Sequence, residues 1–579
     1  MVGRFLVTSA VEETWPANRP ILFLGEWCRR YDRRGWWESL DAEVMPYHWD
    51  DREKLFGDYK YLVSLHEVLL EELSGQLNRI HGVCHTIRYW RILIGPWLGY
   101  FVQMLFDRWT MLQNAIHVHH ISEANIVDRD PLDFIPNDMG QFRSLLISDE
   151  WNEVIMAELL CGLGVSINRV SPAGDLPQRT TEKHQSYLKK QFWGLSEKWS
   201  RITSAKADHF FFSACLSRSQ SLRLQWQLGQ LPQLWRPVPA PIVSASKAQR
   251  QVDEELSLQN ADFPSVARAM VMRHIPLLYL EGYAKLTDLT KSLPWPQRPK
   301  SIFTTNIITD DVFKAWTASQ TESGTPLIIG QHGGNYGLAR WNFEEEHEIS
   351  VADRFLSWGW TDQTQAKVVP VGNIKGFGVA VDSKKDGGAL LVTMTLPRMS
   401  YMLYSTPIAH QWTSYFEDQC RFVKSLPPDI REQLVVRLYS LDYGWSQLKR
   451  WKEKFPSIRI DDGAGPIVNS IVESRVFIST YNATTYLESL SLNIPTIIFW
   501  NEKYWELRSL PADPFEQLRA AGIFHDNPES AAKHLASVWH DIESWWRSSP
   551  TQAARRSLCD KYAVIPQQPI QEMKKVFES

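Results

Sequence analysis

The sequence predicts an α/β protein of two doubly wound parallel units joined by a linker, with a helical C-terminus and a cleft between the units. Three observations carry this. Apolar runs such as SIFTT, PLIIG, ALLVTMT and PTIIFW read as buried strands, and helical segments separate them. Asp310 stands where a helix cap belongs, ahead of DVFKAWTASQTE, and Gly324 with Pro326 closes that helix. A polar, glycine-bearing stretch from Val371 to Gly388 separates two alternating regions, as a domain boundary would.

The elements follow in order. Arg4 to Thr8 reads as a strand, then a loop carries Glu12, Glu13 and Thr14, and Ile21 to Leu24 is a second short apolar run. From about Asp51 to Gln113 the apolar spacing is helical, and residues 140 to 295 also read mainly as helix. Strands SIFTT and PLIIG flank one helix, and beyond residue 388 strands ALLVTMT, QLVVRLY, SIRID, RVFIST and PTIIFW alternate with short helices. Helical periodicity returns from Glu529 to the end.

Length and composition bound the function. At roughly 100–200 residues per domain, 579 residues make two to four compact units. The 62 basic and 66 acidic residues nearly cancel, so the whole molecule is no polyanion binder, and no nucleic-acid partner is expected. The six cysteines (28, 84, 161, 215, 420 and 559) are scattered without ligand spacing, which fits reduced thiols in a cytoplasmic compartment and no structural zinc. The start, MVGRFLVTSAVEETWP, does not read as a signal peptide. The most apolar stretch, Ile92 to Phe106, has 15 residues; a spanning helix needs about 20, so a buried helix is expected. No GxxxxGK[ST], GxSxG or HExxH occurs, and no metal site or cofactor is expected.

In parallel sheets ligands bind beyond the carboxyl ends of the strands, and two loops stand there. After PLIIG comes Gln331, His332, Gly333, Gly334, Asn335, Tyr336 and Gly337. Three glycines in five positions let backbone approach a ligand, and an imidazole at a strand tip suits removal of a proton from a hydroxyl. Glu344, Glu345, Glu346 and Glu348 follow; they read as a solvated helix face, although one could orient His332. After RVFIS come Thr480, Tyr481, Asn482, Thr484 and Thr485, then Glu488. These hydroxyls and an amide gather at a helix N-terminus, either to receive phosphate or, with Asn482 as N-cap, simply to cap it. Arg398 follows another strand and either reaches the same anion or sits on the surface. Glu12 and Glu13 are candidate bases facing the cleft.

Residues 185–250 hold ten Lys or Arg against two acids, interleaved with Trp193, Trp199, Phe210, Phe211, Phe212, Trp226 and Trp235. Such a stretch serves an anionic membrane surface, a polyanion, or a solvated helix over an aromatic core.

The stretches PLIIGQHGGNYG…EEEHEISVADRFLSWGW and STYNATTYLESLSLNIPTIIFW, with FLVTSAVEETWP, LFLGEWC, LDAEVMPYHWDDR and RYWRILIGPWLGYF, resemble a bacterial transferase family encoded with surface-polysaccharide (O-antigen, lipopolysaccharide) genes. More distantly they are similar to GT-B glycosyltransferases, among them capsule Kdo transferases and teichoic-acid polymerases. The resemblance implies two Rossmann-like domains. Residues 1–375 would form the acceptor side, with a helical insertion at about 50–295. Residues 385–545 would bind the nucleotide-sugar, and residues 546–579 would return to the N-terminal domain. His332, with Glu12 and Glu13 as alternatives, would be the base. Arg398, Thr480, Asn482, Thr484, Thr485 and Glu488 would hold the donor, and Gln331, Gly333, Gly334 and Asn335 would shape the loop. The expected activity is a metal-independent glycosyl transfer, with a CMP-activated ulosonic acid as preferred donor, to a surface glycan or lipid-linked acceptor. The enzyme would be cytoplasmic, with peripheral contact to the inner membrane as an option. Polyol- or sugar-phosphate transfer and a non-catalytic assembly scaffold stand as alternatives.

Overall fold

A computed structural model describes residues 4–16, 18–119, 121, 123–172, 198–200, 202–204, 208–250, 256–374, 386–399, 402–509 and 514–578. Most of the linker between Val371 and Gly388 lies outside them. The α/β class with parallel pairing is as the sequence predicts, but the described residues form three sheets. The first contains β1 (Phe5–Val7), β2 (Ile21–Phe23), β3 (Ala42–Val44), β4 (Glu123–Val127) and β5 (Ser166–Val170), in the order β3-β2-β1-β4-β5. The second runs β10-β9-β8-β7-β6, from β6 (Phe210–Phe211) through β7 (Ile302–Thr304), β8 (Leu327–Gly330) and β9 (Arg354–Ser357) to β10 (Val368–Pro370). The third comprises β11 (Gly388–Val392), β12 (Leu434–Arg437), β13 (Arg459–Asp461), β14 (Ser474–Ser479), β15 (Thr496–Phe499) and β16 (Phe524–His525). Its order is β13-β12-β11-β14-β15-β16.

The described residues within 50–295 are mostly helical, and they also carry β4, β5 and β6, which periodicity does not reveal. Strand β5, Ser-Ile-Asn-Arg-Val, is largely exposed, and β6 has only two residues, so neither shows a buried-strand run. The order reverses between β1 and β4 and between β11 and β14, whereas the second sheet runs without reversal. Crevices for ligands therefore belong to the first and third sheets.

Two long helices hold the N-terminal half together. In Arg52–His81, Asp51 caps the N-terminus by accepting from the amides of Glu53 and Lys54, and Leu55, Tyr59, Leu62, Leu69, Leu73 and Leu77 form its buried stripe. Gly82, at φ +64°, ends it in the left-handed conformation. The second helix, Ile87–His119, is buried without interruption from Ile92 to Arg108 and contains the most apolar stretch of the chain. Among the described residues no helix is long and apolar enough to cross a membrane. Arg108 donates to Asn152 Oδ1 at 2.9 and 3.1 Å, so the polar end of this helix is paired inside the core.

The same helix positions the candidate site. Gly99 lies against Phe343, and a Cβ there would fall 1.9 Å from the Phe343 ring; at Gly95 it would fall 3.0 Å from the His347 ring. The missing side chains let the helix Phe343–Val351, which carries Glu344 and Glu348, lie directly on the core helix. At the other end of the chain, Phe577 packs on Phe211 and Phe303 of the second sheet, at 5.3 and 5.6 Å between ring centres. Gly99→Ala is expected to lower stability by about 1–3 kcal/mol through overpacking, read as a lower urea midpoint with unchanged m-value.

Candidate active site

The loop after β8 is held by Gln331, which is fully buried. Its Nε2 donates to Gly333 O at 2.7 Å, and its Oε1 accepts from Trp358 N and Trp360 Nε1, both at 2.9 Å. Gln331 thus holds the turn rather than touching a ligand. His332 follows, its side chain 27% exposed, with Nδ1 3.4 Å from Glu348 Oε1 and Nε2 3.9 Å from Glu344 Oε2. Asn335 is buried behind the turn, and its Oδ1 lies where a Cβ on Gly333 would meet it, at 2.9 Å.

The acidic helix is not a solvated face. Glu345, His347 and Glu348 are buried, and Glu346 alone of the four acids is exposed. Glu348 accepts from Tyr336 Oη at 3.1 Å, and Glu345 accepts from Gly337 N at 2.8 Å and from Arg508 at 2.9 Å. Burial pushes the Glu348 carboxyl above its ordinary range, and His332 opposes that rise. Glu344 accepts from Tyr100 Oη at 2.7 Å.

The second loop meets the first. Gly334 N donates to Thr484 Oγ1 at 3.1 Å across 150 residues of sequence. A Cβ on Gly334 would stand 2.6 Å from Thr484 Cα and 2.7 Å from Ala483 O, so only glycine permits this approach. The helix Thr484–Ser491 has Ala483 as N-cap with no side-chain cap bond, which corrects the assignment of Asn482 as the cap. Asn482 is 1% exposed, and its Oδ1 accepts from Tyr486 Oη at 3.1 Å. Thr480, equally buried, donates to Val392 O at 2.9 Å and contacts Tyr415 Oη at 2.6 Å, so it ties β14 to its neighbours instead of facing ligand. Thr485 donates to Tyr481 Oη at 3.0 Å, and Glu488 is half-buried one turn further on.

Three expected contributors are elsewhere. Arg398 is 6% exposed, donates to Trp27 O, and pairs with Asp149 at 2.6 Å, bracing the third sheet against the first. It is therefore neither a surface residue nor free for phosphate. Glu12 is gripped by Arg33 through two bonds of 2.7 Å, and Glu13 is exposed beside it; both line a cavity of the first sheet, apart from His332.

The fold supplies residues that the motifs did not indicate. Arg143 lies with its guanidinium 6.0 Å from the Tyr100 ring centre and 4.0 Å from Glu344, its side chain 38% exposed. Tyr100 raises its basicity against burial, with Glu344, Tyr443 and Tyr439 adding to the effect, so loops of the third sheet reach the same space. Nothing around Arg143 in the sequence marks it.

In the basic segment, Lys189, Lys190, Trp193, Glu197, Arg201 and Lys206 lie outside the described residues. Phe210, Phe211 and Phe212 are core residues, and Arg250 is buried against Glu281 at 2.6 Å. Trp199, Ile202 and Trp226 are 55%, 83% and 67% exposed. Among the described residues no group of three or more His, Cys, Asp or Glu is placed to hold a metal ion.

Loops at the carboxyl ends of two parallel sheets thus meet here, with an imidazole beside a carboxylate on one side and a helix N-terminus without a side-chain cap on the other. Residues 4–577 match the family described as LIC12162 family transferase, and the chain belongs to that family. No curated protein matches it. Solved structures to which it is similar include the wall teichoic acid polymerase TagF, at TM-score 0.33 and 10% identity over 68% of this chain and 95% of that one. MurG of Acinetobacter baumannii matches at TM-score 0.34 and 11% identity, over 65% of this chain and 99% of that one.

The Gly334–Thr484 contact makes a double-mutant cycle informative. Thr484→Val is expected to cost about 0.5–1.5 kcal/mol in the native background and much less once Gly334→Ala has pushed the loops apart, measured by urea unfolding of all four proteins.

Proposed function

We propose that this chain transfers a glycosyl group from a nucleotide-sugar to a hydroxyl of a surface-glycan or lipid-linked acceptor. The observation that carries the reading is the juxtaposition of His332 with the N-terminus of the helix Thr484–Ser491, through the Gly334–Thr484 hydrogen bond. His332 Nε2 takes the acceptor proton as the acceptor oxygen bonds to the anomeric carbon, while the bond from that carbon to the nucleotide phosphate oxygen breaks. Glu348, on the Nδ1 side, fixes the ring and stabilises the imidazolium that forms. The amides of the uncapped first turn of Thr484–Ser491 receive the departing phosphate, where the helix dipole favours negative charge. Thr484 and Thr485 border that turn, and Glu488 would accept ribose hydroxyls. Arg143 adds positive charge to the cleft in the role first expected of Arg398. The preferred donor is a CMP-activated ulosonic acid, on the resemblance to capsule Kdo transferases.

The same reading places the enzyme at an anionic membrane surface through Trp199, Ile202 and Trp226, whose exposure suits insertion at headgroup depth. Vesicles rich in anionic lipid should retain the protein in sedimentation, and Trp226→Ser should reduce that retention severalfold; equal retention by neutral vesicles would count against it.

His332→Ala should lower turnover by about 100- to 10,000-fold while nucleotide binding stays near normal. The check is a thermal-shift panel of CMP, UDP, GDP, ADP and dTDP on both proteins, with CMP giving the shift. Near-native turnover in His332→Ala would remove the base from the mechanism. No shift with any nucleotide would favour the assembly scaffold.

A further inference from the structure

The first sheet holds a second place built for a ligand. Its strand order reverses between β1 and β4, and such a reversal opens a crevice at the carboxyl ends of the two strands because their connections leave on opposite faces. A cavity of about 270 Å³ occupies that place. Glu12, Glu13, Arg33, Arg129, Asp149 and Glu150 are in its wall.

The charges of this wall are only partly matched. Arg33 grips Glu12, and Arg398 takes Asp149 Oδ2 at 2.6 Å. Arg129 Nη1 and Asp149 Oδ1 are buried without a hydrogen-bond partner, and Glu13 and Glu150 make no ion pair among the described residues. Neither atom is open to solvent; the groups that line the cavity and remain available to a ligand are the half-buried Arg129 side chain and the carboxylates of Glu13 and Glu150. Behind Arg129, Glu153 is 1% exposed, accepts from Val127 N at 2.9 Å, and leaves Oε2 unbonded. Burial pushes its carboxyl up to about 7, so near neutral pH it is only partly ionised and does not fully neutralise Arg129.

We infer that this crevice binds an anionic sugar, with its phosphate or carboxylate on Arg129 and its hydroxyls donated to Glu13 and Glu150. A guanidinium matches an oxyanion in a fork geometry, and carboxylates are acceptors only, which suits hydroxyl-bearing ligands. A bare metal ion does not fit, since no three such ligands converge among the described residues. A purely apolar ligand does not fit a wall of arginines and acids. The site is separate from the His332 cleft, and it can fail without affecting the reading of that cleft.

Calorimetric titration of the full chain with glucose 6-phosphate, glucuronate and glucose tests this. At least one of the two acids should bind saturably and glucose should not, and whichever acid binds names the anion. Arg129→Gln should weaken that binding at least tenfold, the loss expected for one charge-assisted contact. Because Arg129 is partly buried, Glu13→Ala, at an exposed position, provides a second variant that should fold normally and weaken binding severalfold. Binding by neither acid, equal binding of glucose, unchanged affinity in a folded Arg129→Gln protein, or unchanged affinity in Glu13→Ala would each overturn the assignment.

Discussion

A backbone amide of Gly334 donating to the hydroxyl of Thr484 brings together two strand-tip loops that are 150 residues apart in sequence. The contact exists because position 334 has no Cβ; the nearest atoms of the opposite loop would lie within 2.8 Å of one. Everything proposed for the cleft depends on that approach. With the loops separated, the imidazole would face water on one side and the helix N-terminus would face it on the other.

The approach is held in place from behind. Gln331 uses both polar atoms of its amide to pin the turn, and the helix bearing Glu344 and Glu348 lies on a core helix whose surface is cut away at Gly95 and Gly99. Placing Glu348 in that interior has an electrostatic cost, seen in its raised carboxyl, and His332 and Tyr336 offset part of it. A buried carboxylate of this kind adds little to stability by itself, and its nearest basic neighbour is the His332 ring.

Arg398 shows how tertiary structure reassigns a residue. Its position after a strand fits phosphate binding, yet the first sheet lies close enough for Asp149 and the Trp27 carbonyl to claim the guanidinium. A buried pair of this kind ties two sheets, since losing one partner leaves the other charged and desolvated. It also seats the crevice of the first sheet directly against the third.

Much of the architecture is legible in the residues themselves. Buried runs locate β7 and β8 of the second sheet and most strands of the third, because burial on both faces leaves an uninterrupted apolar signature. Asp310 as a cap and Gly324, at φ +92°, as a stop follow from local hydrogen bonding and sterics alone. The two strand-tip loops are visible because glycine and hydroxyl clusters there have few other uses. The closing of the first sheet by β4 and β5, the inward turn of Glu348, the burial of Thr480 and Asn482, and the arrival of Arg143 were not legible. Each depends on which surfaces meet after the chain has folded back over hundreds of residues, and a side chain's exposure and partners are properties of that meeting. Local sequence thus determined the strands, caps and loops, while long-range packing alone decided which polar groups face the cleft and which brace the fold.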